Sequence, residues 1–206
     1  GLPHAAARLV FTLDEVLIPV RDGAHLQTGI LRPVGRAEEL PIMLSRKPYG
    51  VPTQSPTSMP AALKELAADG YIFVIQNLRG RFKSEGTFLL SSQVDLTNAS
   101  PKNVNETTDA YDSIDWLVKH VANTTGKVGM YGVSYDGLTT AMALLAPHPA
   151  LKAMSEQASP ADQWMNDDNH RYGALRESYS FEYAVLEQAD KLKNTNFDFD
   201  IYDAYD

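Results

Sequence analysis

Apolar and polar residues alternate along the first part of the chain in the way expected of strands. Residues 15–33, EVLIPVRDGAHLQTGILRP, alternate on both sides of Asp22 and Gly23, a pattern typical of two strands joined by a tight hairpin. PIMLS (41–45) and YIFVIQ (71–76) are short apolar runs of the kind found in buried parallel strands. These positions predict four strands.

The segment between the two apolar runs has the pattern of a helix. In SMPAALKELAADG, Ser58 is a candidate N-cap, Pro60 falls in the first turn and Gly70 is a candidate stop. Helix-forming residues fill the positions between them. The stretch therefore predicts a β-α-β unit.

The same alternation of strand and helix continues through the middle of the chain. TTDAYDSIDWLVKHV has apolar residues at helical spacing, acidic residues early and basic residues late, and Thr107 or Thr108 could cap it. The next segments predict a strand, a helix and a strand, in KVGMYG (127–132), DGLTTAMALLA (136–146) and LKAMSEQ (151–157). This order favours an α/β fold with a mostly parallel sheet.

The character of the chain changes after Pro160. Residues 161–206 are rich in Asp, Asn and Tyr, contain helical stretches and lack a convincing buried strand. We therefore expect residues 1–160 to form the α/β part and residues 161–206 to begin an insertion that leaves the sheet.

Composition and charge narrow the classes of function. With 206 residues, 44% of them hydrophobic, the chain is long enough for one domain with a sizeable core or for most of a larger one. Its net charge of −8 makes nucleic acid and anionic membranes poor partners and suits a cationic or ammonium-bearing ligand. There is no cysteine, hence no disulfide and no thiolate zinc site, and the histidines lack paired ligand spacing. We expect no metal and no cofactor.

Two features bear on location in the cell. No apolar run approaches the roughly 20 residues that a membrane span requires. The chain begins at Gly1 without methionine, which fits a processed export signal or a cleaved tag. The sequence thus leaves the compartment unknown, with a secreted or periplasmic location slightly favoured over a cytoplasmic one.

Ser134 is the residue that most suggests chemistry. It lies between a predicted strand and a predicted helix in KVGMYGVSYDGLTTAMALL, the setting of a nucleophile elbow. The G-x-S-x-G pattern is imperfect, because Gly132 comes two residues before the serine while Asp136 stands where the second glycine would be, and Gly137 follows. The motif alone also fits a turn in which Ser134 only caps the helix.

The motif GVSYDG resembles the nucleophile motif of a hydrolase family, the one containing X-prolyl dipeptidyl peptidases, cocaine esterase and α-amino-acid ester hydrolases. WMNDDNHRYGALR (164–176) is more similar to the ester hydrolase branch than to the cocaine esterase branch. Further agreement lies in IPVRDG (18–23), RKPYG (46–50), QNLRGRFKSEG (76–86), ETTDAYDSIDWL (106–117) and PHPALK (147–152). The resemblance implies the N-terminal, nucleophile-bearing part of an α/β-hydrolase fold, with a helical cap insertion following.

The resemblance also implies residue roles. Ser134 would be the nucleophile, and the backbone N–H of Tyr135 with the phenol of Tyr49 would bind the oxyanion. Asp168 matches a carboxylate that helps to bind a substrate's free α-ammonium group, which would favour substrates with that group. Without the resemblance, Tyr49 would pass for an ordinary loop tyrosine and Asp168 for a solvated loop acid. We expect Asp136, at an exposed helix start, to be structural.

QNLRGRFKSEG carries several cations without the glycine spacing of a P-loop. We expect this loop to pack and to pair charges beside the active site.

The catalytic base and its orienting acid are not evident in the sequence. In α/β-hydrolases they follow the nucleophile in the order Asp, His. His148 resembles a structural histidine of the family, and His170 lies in the predicted insertion with no strand behind it, so neither is a credible base. We expect the rest of the enzyme to be a separate or missing segment, and these 206 residues alone to be inactive.

The predicted function is an acyl-enzyme serine hydrolase acting on esters or amides with a free α-amino group. A broad-specificity carboxylesterase, an X-prolyl dipeptidyl peptidase and a non-catalytic fragment or binding module remain alternatives. The expected partners are a small-molecule ester, amide or peptide and the remainder of the enzyme, and the sequence leaves a homo-oligomer open.

Overall fold

A six-stranded sheet forms the centre of the molecule. The structure is a computed structural model and describes residues 10–90, 103–160 and 162–195. The strands are β1 Phe11–Pro19, β2 His25–Pro33, β3 Leu40–Lys47, β4 Ile72–Asn77, β5 Thr124–Val133 and β6 Leu151–Gln157. They lie in the order β1-β2-β4-β3-β5-β6.

The first two strands are antiparallel and the others form a parallel core. β1 pairs with β2 as the predicted hairpin, and its turn contains Gly23 at φ +87°. β2 joins the sheet antiparallel to β4, whereas β4, β3, β5 and β6 pair in parallel. The predicted strands and the mostly parallel sheet are therefore confirmed.

Helices cover both faces of this sheet. The helices are α1 Lys64–Asp69, α2 Glu106–His120, α3 Tyr135–Met142 and α4 Glu177–Gln188. Along β4, Ile72 and Val74 belong to a cluster packed with α2, while Phe73 and Ile75 belong to a cluster packed with α1, because successive strand residues point to opposite faces. The core is thus a three-layer α/β arrangement.

The start of α1 differs from the expectation. A 3₁₀ turn at Ala61–Leu63 begins after Pro60 and leads into α1, and neither start has a side-chain cap. Ser58 as the N-cap is therefore wrong, because the proline starts the turn two residues later. The predicted stop is confirmed, since Gly70 ends α1 in the left-handed region at φ 96°.

The cap of α2 also differs from the expectation. Asn105 is the N-cap and forms a capping box with Thr108, each side chain accepting from the other residue's N–H. Thr107 instead donates its hydroxyl proton to the carbonyl of Met142 at 2.8 Å. Neither threonine is the N-cap, and Thr107 ties α2 to α3.

After Pro160 the described chain leaves the central sheet. Three two-residue strands, β7 Asn166–Asp167, β8 His170–Arg171 and β9 Ala174–Leu175, form a small antiparallel sheet before α4. Residues 161 and 196–206 of the expected insertion lie outside the described residues. In the described part of the chain, no helix combines the length and the apolar character of a membrane span.

Candidate active site

Ser134 lies at a sharp turn between β5 and α3. Its backbone has φ 60° and ψ −121°, a strained conformation for a residue with a side chain. Its N–H donates to the carbonyl of Gln157 on β6 at 2.9 Å, which holds the turn against the sheet. The predicted strand-serine-helix order is confirmed. Ser134 is the N-cap residue of α3 by position, but its exposed side chain makes no capping hydrogen bond.

A pocket opens directly above this turn. It brings Ser134 and Tyr135 together with Asp168, although Asp168 is 34 residues further along the chain. Tyr135 is the first residue of α3, so its N–H belongs to the positive end of the helix dipole. The remaining lining residues are Pro160, Asp167, Asn169, Tyr179 and Tyr183.

Tyr49 contacts the pocket indirectly, through a hydrogen bond to a residue that lines it. Its phenol oxygen lies 2.8 Å from the phenol oxygen of Tyr183, while Tyr49 itself is not among the residues that line the pocket. The turn carrying Tyr49 follows β3 and is fixed by the N–H of Gly50, which donates to the side chain of the buried Asn77 at 2.9 Å. Burial raises the pKa of Tyr49 to about 12, so the phenol keeps its proton at neutral pH.

A buried arginine anchors the strand end that leads to Tyr49. The Arg46 guanidinium donates to Gln76 at 2.7 Å and to the carboxylate of Glu106 at 2.9 Å. The Arg46 carbonyl accepts from the hydroxyl of Thr139 on α3 at 2.8 Å. Burial raises the pKa of Glu106 although Arg46 opposes the shift. Arg46 thus ties β3, α2 and α3 into one unit below the site.

Asp136 is not the exposed helix-start residue that we expected. Its side chain is mostly buried, and its Oδ1 atom is buried without a hydrogen-bond partner. Burial raises the pKa of Asp136 to about 6, with the charge of Lys47 acting in the opposite direction. The helix start is less exposed than expected because the first turn of α3 folds back over the end of β5, where a Cβ added to Gly132 would lie 2.7 Å from the Cβ of Asp136.

The loop QNLRGRFKSEG pairs charges, as predicted. Arg79 bridges Asp109 and Asp22, each at 2.8 Å, and Lys83 pairs with Glu15 on the surface at 2.6 Å. Arg81 differs from both, because its side chain is only 1% exposed and donates mainly to backbone carbonyls. The three cations therefore have distinct environments within five residues of sequence.

The two histidines that follow Ser134 have other neighbours. His148 contacts the carboxylate of Asp115 at 3.4 Å and accepts from the N–H of Ala150 at 3.0 Å, which fits the predicted structural role. His170 packs against Trp164. No histidine is among the described residues that line the pocket. Within the described ranges, no group of three or more His, Cys, Asp or Glu residues could hold a metal ion.

Helix α4 contributes site residues that the sequence did not reveal. Tyr179, Tyr183 and Glu187 are spaced four residues apart and therefore share one face. Tyr179 and Tyr183 line the pocket beside Asp168, and the Tyr183 phenol oxygen lies 2.8 Å from that of Tyr49. Burial raises the pKa of Glu187 to about 7, opposed by Arg81 and reinforced by Asp136. The four-residue spacing was visible in ESYSFEYAVLEQ, but nothing local indicated what this face would contact.

Comparison with known proteins identifies the family. The model of the family described as X-Pro dipeptidyl-peptidase (S15 family) matches residues 22–204. The chain belongs to this family. Cocaine esterase from Rhodococcus sp. (strain MB1 Bresler) is 34% identical over 155 residues, which is 72% of this chain and 24% of that protein.

Solved structures support the family and the fold. An α-amino acid ester hydrolase has a TM-score of 0.81 and 38% identity, with 90% of this chain and 31% of that chain covered. An aminopeptidase from the marine sediment archaeon Thaumarchaeota archaeon has a TM-score of 0.84 and 38% identity, with 95% and 33% covered. The chain thus has the α/β-hydrolase fold of the S15 family and spans about a third or less of these relatives.

Proposed function

We propose that this chain carries the nucleophile of a serine hydrolase that acts through an acyl-enzyme on esters or amides with a free α-amino group. The observation that carries the proposal is the pocket in which Ser134, on its strained elbow, faces the same space as Asp168. The 38% identity to an α-amino acid ester hydrolase and to an aminopeptidase supports this branch of the family.

In the proposed reaction the Ser134 hydroxyl oxygen attacks the substrate carbonyl carbon. The developing oxyanion accepts hydrogen bonds from the N–H of Tyr135 and the phenol of Tyr49. The base takes the Ser134 proton and passes it to the leaving group as the bond between the carbonyl carbon and that group breaks. Water then attacks the acyl carbon, and the acid is released as Ser134 regains its proton. A histidine and its orienting acid come from another segment of the protein, because the described residues that line the pocket include no histidine.

A neutral phenol suits the oxyanion role. It stabilises developing negative charge without the desolvation cost of burying a cation. Because the pKa of Tyr49 is raised to about 12, its proton remains available throughout the neutral and mildly alkaline range.

Asp168 provides the proposed selectivity for an amine. Its carboxylate is exposed at the pocket, and Asp167 and Tyr179 line the same space. A substrate ammonium group bound there would form a charge-assisted hydrogen bond that strengthens as the substrate covers the carboxylate. Residues 161–206 would then form the start of the cap that contributes this part of the pocket.

The test compares matched esters with and without the α-amino group, using the full-length protein. The amine-bearing ester should gain on the order of 2 kcal/mol in the free energy derived from kcat/KM. Asp168→Asn should remove most of that preference while leaving turnover of the amine-free ester close to wild type. Glu182→Gln is the matched control, because Glu182 is exposed on α4 and does not line the pocket.

Other results would indicate one of the alternative functions. Equal turnover of both esters would contradict the amine proposal and indicate a broad-specificity carboxylesterase. A strict requirement for proline in the second position would indicate an X-prolyl dipeptidyl peptidase. Binding of both esters without turnover by the full-length protein would indicate a non-catalytic binding module.

A further inference from the structure

The turn that carries Tyr49 is attached to the end of α4 by both side chain and backbone. The Tyr49 and Tyr183 phenol oxygens are 2.8 Å apart, and the side-chain amide of Asn194 donates to the Tyr49 carbonyl at 3.1 Å. Asn194 follows the end of α4 by six residues. The position of Tyr49 therefore depends on a segment 134 to 145 residues away along the chain.

Arg81 clamps the same two segments together. Its guanidinium donates to the carbonyl of Pro48, directly before Tyr49, at 3.0 Å, and to the carbonyl of Asp190 at 2.8 Å. It also donates to the Glu187 carbonyl and to the Asn194 side chain. These bonds hold the backbone of the Tyr49 turn, so that the phenol contact between Tyr49 and Tyr183 is made from a fixed support.

The direction of the phenol–phenol hydrogen bond follows from counting protons. A neutral phenol has one O–H donor and can also accept. If Tyr49 donates its only proton to an oxyanion, it can interact with Tyr183 only as the acceptor. Both phenols keep their protons at neutral pH, because burial raises the pKa of Tyr183 as well as that of Tyr49.

We infer that Tyr183 is a positioning residue, which donates its phenolic proton to Tyr49 and so fixes and polarises the donor that Tyr49 offers to the oxyanion. A hydrogen bond received by a hydroxyl strengthens the bond that the same hydroxyl donates. This inference rests on the proposed function of Tyr49. It makes the docking of α4 a condition for a complete oxyanion hole.

The test begins with Tyr183→Phe in the full-length protein, a change that keeps the ring and removes the proton donor. We expect kcat for an amine-free ester to fall about tenfold, with KM changed less than about twofold. Tyr172→Phe is the matched control, because Tyr172 lies in the same part of the chain, is 76% exposed and takes no part in the hydrogen bond between Tyr49 and Tyr183. It should leave kcat unchanged.

A double-mutant cycle separates action through Tyr49 from a general structural effect. Tyr49→Phe should lower kcat by about a hundredfold with little change in KM. Adding Tyr183→Phe to Tyr49→Phe should cause no further loss, because the proton that Tyr183 donates no longer has its acceptor. If the two losses multiply, Tyr183 does not act through Tyr49 and the inference is wrong.

The same variants distinguish this inference from the proposed function. Wild-type kcat in Tyr49→Phe would contradict the oxyanion role of Tyr49 and with it the proposed mechanism. A hundredfold loss in Tyr49→Phe together with wild-type kcat in Tyr183→Phe would overturn the role of Tyr183 alone.

Discussion

Gly132 and Asp136 approach each other so closely that a Cβ added to Gly132 would lie 2.1 Å from the Asp136 carbonyl oxygen. The first turn of α3 folds back over the end of β5 at this point, with Ser134 at the tip. Gly137 is equally close to β6, since a Cβ added to Gly137 would lie 2.7 Å from the Gln157 carbonyl oxygen. The third position after the serine thus needs glycine.

Gly132→Ala should therefore distort the elbow and destabilise the protein. A Cβ this close to backbone atoms cannot be relieved by a side-chain rotation, and we expect a loss of about 3 kcal/mol or more in the free energy of unfolding. Urea denaturation of the full-length protein measures it. Gly29→Ala in β2 is the matched control, because its Cβ would meet only ordinary contacts at 3.4 to 3.6 Å. Equal stability of the two variants would show that the close approach is not needed.

The pH dependence of stability should include a contribution from Asp136. Burial raises its pKa from 3.8 to about 6, so the folded state binds a proton that the unfolded state has released between these pH values. Stability is therefore lost as the pH rises from about 4 to about 6. Asp136→Asn should remove on the order of 2 kcal/mol of this loss.

The measurement for Asp136 is the free energy of unfolding at several pH values between 4 and 7. Asp69→Asn serves as the control, because Asp69 is exposed on α1. Its free energy of unfolding should change with pH in the same way as that of the wild type. If the free energy of unfolding of Asp136→Asn also changes with pH as in the wild type, Asp136 does not titrate in a buried site.

The charge pairs of QNLRGRFKSEG should contribute very different amounts to the free energy of unfolding. Arg79→Ala would leave the carboxylate of Asp109, which is 1% exposed, without its closest cation, at an expected cost of about 3 kcal/mol. Lys83→Ala removes an exposed pair with Glu15 and should cost less than about 1 kcal/mol. Thermal unfolding of both variants checks this difference, and similar losses would contradict the assignment of Arg79 to a buried network.

Much of the central sheet was predictable because its signals are local. The hairpin around Gly23, the apolar runs of β3 and β4, and β6 at Leu151–Gln157 were all confirmed. Strand alternation and glycine-marked turns depend on residues only a few positions apart. The cap of α2 was missed although Asn105 and Thr108 form a local capping box, whereas the contact of Thr107 with α3 is tertiary and has no local pattern.

The site itself was predictable only in part. Ser134 carries a local motif, and the strand and helix around it were confirmed. The burial of Asp136 is apparent only in the folded structure, and the hydrogen bond between Tyr49 and Tyr183 joins residues 134 positions apart. Neither feature has a local pattern, because both arise when distant elements pack against the elbow.

The central claim is that Ser134 is the nucleophile, and covalent labelling tests it most directly. A fluorophosphonate probe should label the full-length protein on the peptide containing Ser134, as located by mass spectrometry, and should not label Ser134→Ala. Ser180→Ala is the control, because the Ser180 hydroxyl bonds to the Arg176 carbonyl within α4, and it should label like wild type. Labelling that persists in Ser134→Ala, or that maps to another residue, would contradict the account.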